Sequence, residues 1–67
     1  MIELTSINGE KFFLNNDLIY KVEQHPDTII TLVDGKTLRV KETPESVSNS
    51  IIEFKKKIYT NYSGEIR

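Results

Sequence analysis

Two stretches of the chain alternate apolar and polar residues around a dipeptide that tolerates positive φ. In the first, Ile2-Glu3-Leu4-Thr5-Ser6-Ile7 leads into Asn8-Gly9 and returns as Glu10-Lys11-Phe12-Phe13-Leu14. In the second, Thr28-Ile29-Ile30-Thr31-Leu32-Val33 leads into Asp34-Gly35 and returns as Lys36-Thr37-Leu38-Arg39-Val40-Lys41. A period of two about such a dipeptide predicts a β-hairpin in each case. Register then decides which residues share a face, because a slip of one residue turns every side chain over. A two-residue loop would set Ile30 opposite Arg39 and Leu32 opposite Thr37, mixing apolar with polar groups. A three-residue loop closed by a glycine bulge sets Ile30 against Leu38, Thr28 against Val40 and Leu32 against Lys36. The same loop sets Leu4 against Phe12 and Ile2 against Leu14. Both hairpins therefore predict the bulged loop, with Ile30, Leu32, Leu38 and Val40 on the core side of the second. The spacing from Leu4 through Gly9 to Phe12 equals that from Ile30 through Gly35 to Leu38. An internal duplication would produce this match, and any two bulged hairpins also share it.

Between the hairpins, Asn15-Asn16-Asp17 predicts a turn or the start of a one-turn helix. Leu18 to Glu23 predicts a short middle strand, with Tyr20 and Val22 on one side and Ile19 on the other. His25-Pro26-Asp27 ends that strand, since proline cannot donate to a sheet ladder and restricts the residue before it. After Glu42, Thr43-Pro44-Glu45 is a helix start: a side-chain oxygen for orphan amides, proline at the first helical position, and an acid near the positive end of the dipole. The helix is expected from about Pro44 to Tyr59. Val47, Ile51, Phe54 and Ile58 fall in one narrow stripe that would cover the sheet, whereas Ile52 and Tyr59 lie well away from it. The fold class is α+β: two β-hairpins plus a short middle strand form a small curved antiparallel sheet, packed by one C-terminal helix. Residues 1–60 are expected to form a single domain and residues 61–67 a frayed tail.

Composition narrows how such a domain is stabilised. With 67 residues, small domains of this kind usually rely on disulfides, a metal or a partner chain. The absence of cysteine and the single histidine exclude a disulfide and a histidine- or thiolate-bound zinc, which leaves association with another chain. Nine Lys+Arg against ten Asp+Glu give a net charge of -1 and no strong field for nucleic acid or an anionic membrane. No apolar run is long enough for a membrane span or a secretory signal, so the expectation is a soluble, cytoplasmic protein without direct membrane insertion.

Candidate chemistry is sparse. Three isolated glycines, two of them assigned to turns, cannot build a phosphate loop. His25 sits before a proline in an exposed turn and has no orienting third group, so it reads as a solvated residue and not a catalytic base. Glu42 and Glu45 flank the helix start, where the dipole accounts for both. Lys55-Lys56-Lys57 fans around the helix near its C-terminal end and reads as a solvated cationic end. No catalytic residue, cofactor, metal or small-molecule substrate is expected, and the chain is read as non-enzymatic.

What remains is a surplus of apolar groups on faces that should be polar. Phe13, Ile29 and Val33 point away from the core side of the hairpins, as do Ile52 and Tyr59 from the helical stripe. Clusters of this kind mark contacts with other chains. The expected interaction surface comprises Ile29, Val33, Ile52 and Tyr59, with Arg39 and Lys41 supplying orientation. A competing reading gathers Phe13, Tyr20, Lys21, Arg39 and Lys41 into a basic aromatic surface for RNA or DNA.

Several fragments, in order, carry a family resemblance: Ile7-Asn8-Gly9, Leu14-Asn15 followed by Asp17-Leu18-Ile19, Pro26-Asp27-Thr28, Ile30-Thr31-Leu32, Gly35-Lys36 and Val40-Lys41-Glu42. Over roughly residues 1–58 the chain resembles the small flagellar FlbD family of SwrD-like swarming motility proteins. The resemblance implies a cytoplasmic, non-enzymatic protein, placed at the flagellar basal body, that supports motility by increasing motor power through the stator units. The partners expected are a second copy of the chain, as a homo-oligomer, and a flagellar motor or basal-body protein.

Overall fold

The structure, a computed structural model, describes the backbone of residues 1–66 and the side chains of residues 1–58. Strand β1 (Ile2–Thr5) pairs antiparallel with β2 (Lys11–Leu14), setting Ile2 opposite Leu14 and Leu4 opposite Phe12. Strand β4 (Thr28–Leu32) pairs antiparallel with β5 (Thr37–Val40), setting Thr28 opposite Val40 and Ile30 opposite Leu38. Both registers are those of the bulged loop. The two turns repeat one hydrogen-bond pattern: Ser6 N–H donates to the Glu10 carbonyl (2.8 Å) and Gly9 N–H to the Ser6 carbonyl (2.9 Å), while Leu32 N–H donates to Lys36 (2.8 Å) and Gly35 N–H to Leu32 (2.9 Å). Gly9 at φ 97° and Gly35 at φ 92° supply the left-handed residue that closes each bulge. The side-chain oxygens of Asn8 and Asp34 accept from the N–H groups of Glu10 and Lys36, two positions on.

Asn15 caps a 3-10 turn over Asn16–Leu18 by accepting from Asp17 N–H at 3.0 Å. Strand β3 (Ile19–Gln24) then pairs with β4, with Ile19 opposite Leu32, Lys21 opposite Thr31 and Val22 opposite Ile30. Tyr20 is the extra residue of a β-bulge at this register shift. The expected parity of the middle strand is thereby corrected: Ile19 and Val22 pack against the core, and Tyr20 is exposed. A bulge changes the parity of the strand, so residues an odd number apart can face the same way.

The hairpins do not form one continuous sheet. A two-stranded sheet β1-β2 and a three-stranded sheet β3-β4-β5 meet at a single bridge, Ser6 opposite Val40. There Lys41 N–H donates to the Thr5 carbonyl at 2.8 Å and Ile7 N–H to the Arg39 carbonyl at 3.3 Å. The ladder stops at that point because Thr5 N–H donates to a Glu42 carboxylate oxygen, 2.9 Å away, in place of a strand carbonyl. Glu42 is thus a clamp between the sheets.

Helix α1 (Pro44–Ile66) starts as the sequence predicts. The Thr43 hydroxyl accepts from Ser46 N–H at 3.1 Å, and the Thr43 carbonyl accepts from Val47 N–H at 2.9 Å. The helix continues past the end expected near Tyr59. No proline follows Pro44, and the lone Gly64 costs a helix only about 1 kcal/mol. Helix α1 packs against β1 and β3 and closes a core of Ile2, Leu4, Leu14, Ile30, Val40 and Val47. Phe12, Ile19, Val22, Leu32, Leu38, Ile51 and Phe54 pack around it, half-buried. At 1.5 Å per residue, the 23 residues of the helix span about 35 Å, whereas strands of four to six residues span about 13 to 20 Å. The helix therefore overhangs the sheets, giving extents of 45 × 23 × 18 Å. Ile58 lies on the expected sheet-covering stripe yet is 47% exposed, because the sheet ends before the stripe does.

Candidate interaction surface

The outer face of β3-β4-β5, turned away from the core, divides into two ends. At one end Ile29 stands between its cross-strand partners, Glu23 on β3 and Arg39 on β5, and is half-buried. This end is charged. Lys21 lies 3.6 Å from Glu23, Arg39 lies 3.5 Å from Asp27, and His25 Nε2 lies 3.8 Å from Glu23. All of these groups are largely solvated, so the pairs orient the side chains while adding little stability. Lys41 follows β5 with an exposed side chain, its backbone tied to Thr5.

The other end is apolar. Val33 N–H donates to the Leu18 carbonyl at 2.8 Å, so these two residues are neighbours beyond the Ile19–Leu32 pair. Ile19 and Leu32 pack inward, whereas Leu18, at the end of the 3-10 turn, and Val33, in the hairpin turn, are exposed. Tyr20, pushed out by the bulge, joins them. Leu18 is 43% exposed, Tyr20 71% and Val33 61%.

The residues singled out from the sequence are therefore not one cluster. Val33, just past the end of β4, is four residues from Ile29, about 13 Å at the rise of a strand. Ile52 is 48% exposed on the helix, and Phe13 is exposed on the outer side of β2, opposite Glu3. The Tyr59 side chain lies outside the described residues. Of the residues grouped for nucleic acid, Phe13 sits on the two-stranded sheet and Lys21 and Arg39 on the three-stranded one, both beside carboxylates.

Sequence reasoning missed Leu18 and did not connect Tyr20 with Val33. The signal was the run Leu18-Ile19-Tyr20: three large residues in succession cannot all face one side of a regular strand. Glu42 was missed as a clamp because its partner lies far away in sequence. Its carboxyl group is pushed up by burial, but the hydrogen bonds from Thr5 and the charge of Lys11 outweigh that and hold it below the usual carboxylate range.

Among the described residues no group of three or more His, Cys, Asp or Glu is placed to hold a metal ion, and no helix is long and apolar enough to cross a membrane. No curated protein and no solved structure matches the chain. A family model, described as FlbD, flagellar and swarming motility proteins, matches residues 1–59. The chain thus belongs to the FlbD family, whose role lies in flagellar motility.

Proposed function

We propose that the protein acts by binding and not by catalysis: it self-associates and presents a surface to a component of the flagellar motor. The stator units are the partner assigned, and the outcome is greater motor power during swarming. The protein works from the cytoplasmic side, at the basal body. One observation carries this reading. Large apolar side chains on separate elements, Val33 in the β4-β5 turn and Ile52 on the helix, are exposed, while the buried core is made by other residues. Uncovered apolar groups in a small motility protein supply contact area for a neighbouring chain. The charged end around Arg39 and Lys41 gives such a contact orientation, because rim charges act on encounter and register more than on affinity.

Ile52→Glu tests the helix contact. It replaces an exposed side chain, so circular dichroism and the unfolding midpoint should stay near wild type. Swarming on soft agar and the torque of tethered cells should fall, and co-purification with stator proteins should weaken. Normal swarming together with unchanged co-purification would sink the motor-contact reading.

A further inference from the structure

We propose that Asn8 is a site of spontaneous covalent modification, converted through a succinimide to aspartate and isoaspartate, and that the native β1-β2 turn restrains the conversion until that turn opens. The inference goes beyond the binding reading above and does not depend on it.

The chemistry needs these two neighbours, Asn8 and Gly9, and water. The backbone nitrogen of Gly9 attacks Cγ of Asn8 and forms a nitrogen-carbon bond. Its proton ends on the side-chain nitrogen, which departs as ammonia and leaves a five-membered succinimide. Water then opens the ring. Cleavage of the newly formed bond returns an ordinary peptide with aspartate at position 8, whereas cleavage at the Asn8 backbone carbonyl leaves the main chain running through the side chain, as isoaspartate. The balance is one water taken up and one ammonia released.

Sequence and exposure single out Asn8. Asn15, Asn16, Asn49 and Asn61 precede Asn16, Asp17, Ser50 and Tyr62, and Asn8 alone precedes a glycine. A side chain on the following residue crowds the attacking nitrogen, and glycine has none. Asn8 and Gly9 are both exposed. Asn16 is buried, the Asn15 side chain is held by Asp17 N–H, and Asn49 lies within α1. Asp34-Gly35 repeats the local geometry in the second hairpin, but an ionised carboxylate repels a nucleophile that a carboxamide admits.

The fold supplies the restraint. Gly9 N–H donates to the Ser6 carbonyl at 2.9 Å. Loss of its proton there would leave an amide anion facing that oxygen, so the nucleophile is withheld while the bond lasts. Asn8 Oδ1 accepts from the Ser6 hydroxyl and from Glu10 N–H, the latter at 3.3 Å. Those donors polarise the carboxamide, so the electrophile is ready and the Gly9 nitrogen is the limiting group. Opening of the turn then gates the reaction, and local openings of this kind cost less than global unfolding.

The two products differ in what they do to the turn. Asp34 shows that aspartate fits, since its side-chain oxygen accepts from Lys36 N–H at 3.0 Å with Gly35 at φ 92°, as Asn8 does with Glu10 and Gly9. That product adds one carboxylate and takes the net charge from -1 to -2. Isoaspartate lengthens the main chain between positions 8 and 9, within the loop closed by Ser6 N–H on the Glu10 carbonyl. Ser6 is also the bridge residue to Val40, so this product strains the joint between the two sheets.

The test is a time course of the full chain at mildly alkaline pH, folded and in guanidinium chloride, with peptide mapping by mass spectrometry to score each asparagine. In denaturant Asn8 should convert ahead of every other asparagine, and folding should slow it by about tenfold or more. Asn8→Asp should melt near wild type, and the isoaspartate form, isolated by chromatography, should melt lower. Another asparagine converting first in denaturant overturns the site. Equal rates at Asn8 in the folded and unfolded chain overturn the restraint. An Asn8→Asp variant that fails to fold, or that melts as low as the isoaspartate form, overturns the fit read from Asp34.

Discussion

The backbone N–H of Thr5 donates to a carboxylate oxygen of Glu42 at 2.9 Å, across a sequence separation of 37. This bond ends the short ladder between the two sheets and anchors the segment that leads into α1. Because hydrogen bonding and Lys11 hold the Glu42 carboxyl below its ordinary range, the group binds its proton less readily when folded than when unfolded. Its contribution is therefore present above the unfolded carboxylate range and is lost as pH falls through the lowered folded value. Glu42→Gln should remove this acid-sensitive part of stability. Urea midpoints of wild type and variant, measured from neutral to acidic pH, should differ at neutrality and converge on acidification. Parallel curves at all pH values would contradict the clamp.

The two hairpin turns predict matched costs. A Cβ placed on Gly9 or Gly35 meets nothing within 4 Å, so only the left-handed backbone opposes it. Gly9→Ala and Gly35→Ala should each destabilise by about 1–2 kcal/mol, with closely similar midpoint shifts in urea. A clear excess at one site would mean that the turns are not equivalent.

Ile30 and Leu4 occupy corresponding positions in the two hairpins, and both are fully buried. Truncation to alanine at either should cost about 2–5 kcal/mol. Domains carry about 0.05–0.15 kcal/mol per residue, so either change removes much of the stability of a chain this short. Thermal melts should show a large fall in midpoint for each, against little change for Phe13→Ala, whose side chain is exposed.

Thr43→Ala removes the hydroxyl that accepts from Ser46 N–H at 3.1 Å. The expected loss is about 1 kcal/mol, and Thr43→Ser should restore most of it. A variant pair that melts alike would show the cap to be redundant with the preset φ of Pro44.

The hairpin registers and the helix start were legible in the sequence because each is set locally. Alternation within six residues, a glycine at a left-handed position, and a threonine before a proline act through neighbours in the chain. The stripe of Val47, Ile51 and Phe54 was legible for the same reason, as its period belongs to the helix itself. Its exposed end at Ile58 was not, since that depends on where the strands beneath run out.

Tertiary structure decided the rest. Whether Tyr20 faces in or out is set by the register of β3 on β4, and the bulge there answers to the packing of Ile19 and Val22 around a shared core. The partnership of Leu18 with Val33 joins two chain segments through one backbone hydrogen bond, and Thr5 with Glu42 joins the two sheets. Neither pairing leaves a mark in local pattern. Residue type and period determine which side chains must leave water; only the meeting of distant segments determines which of the surplus end up side by side, because contacts between them depend on the path of the whole chain.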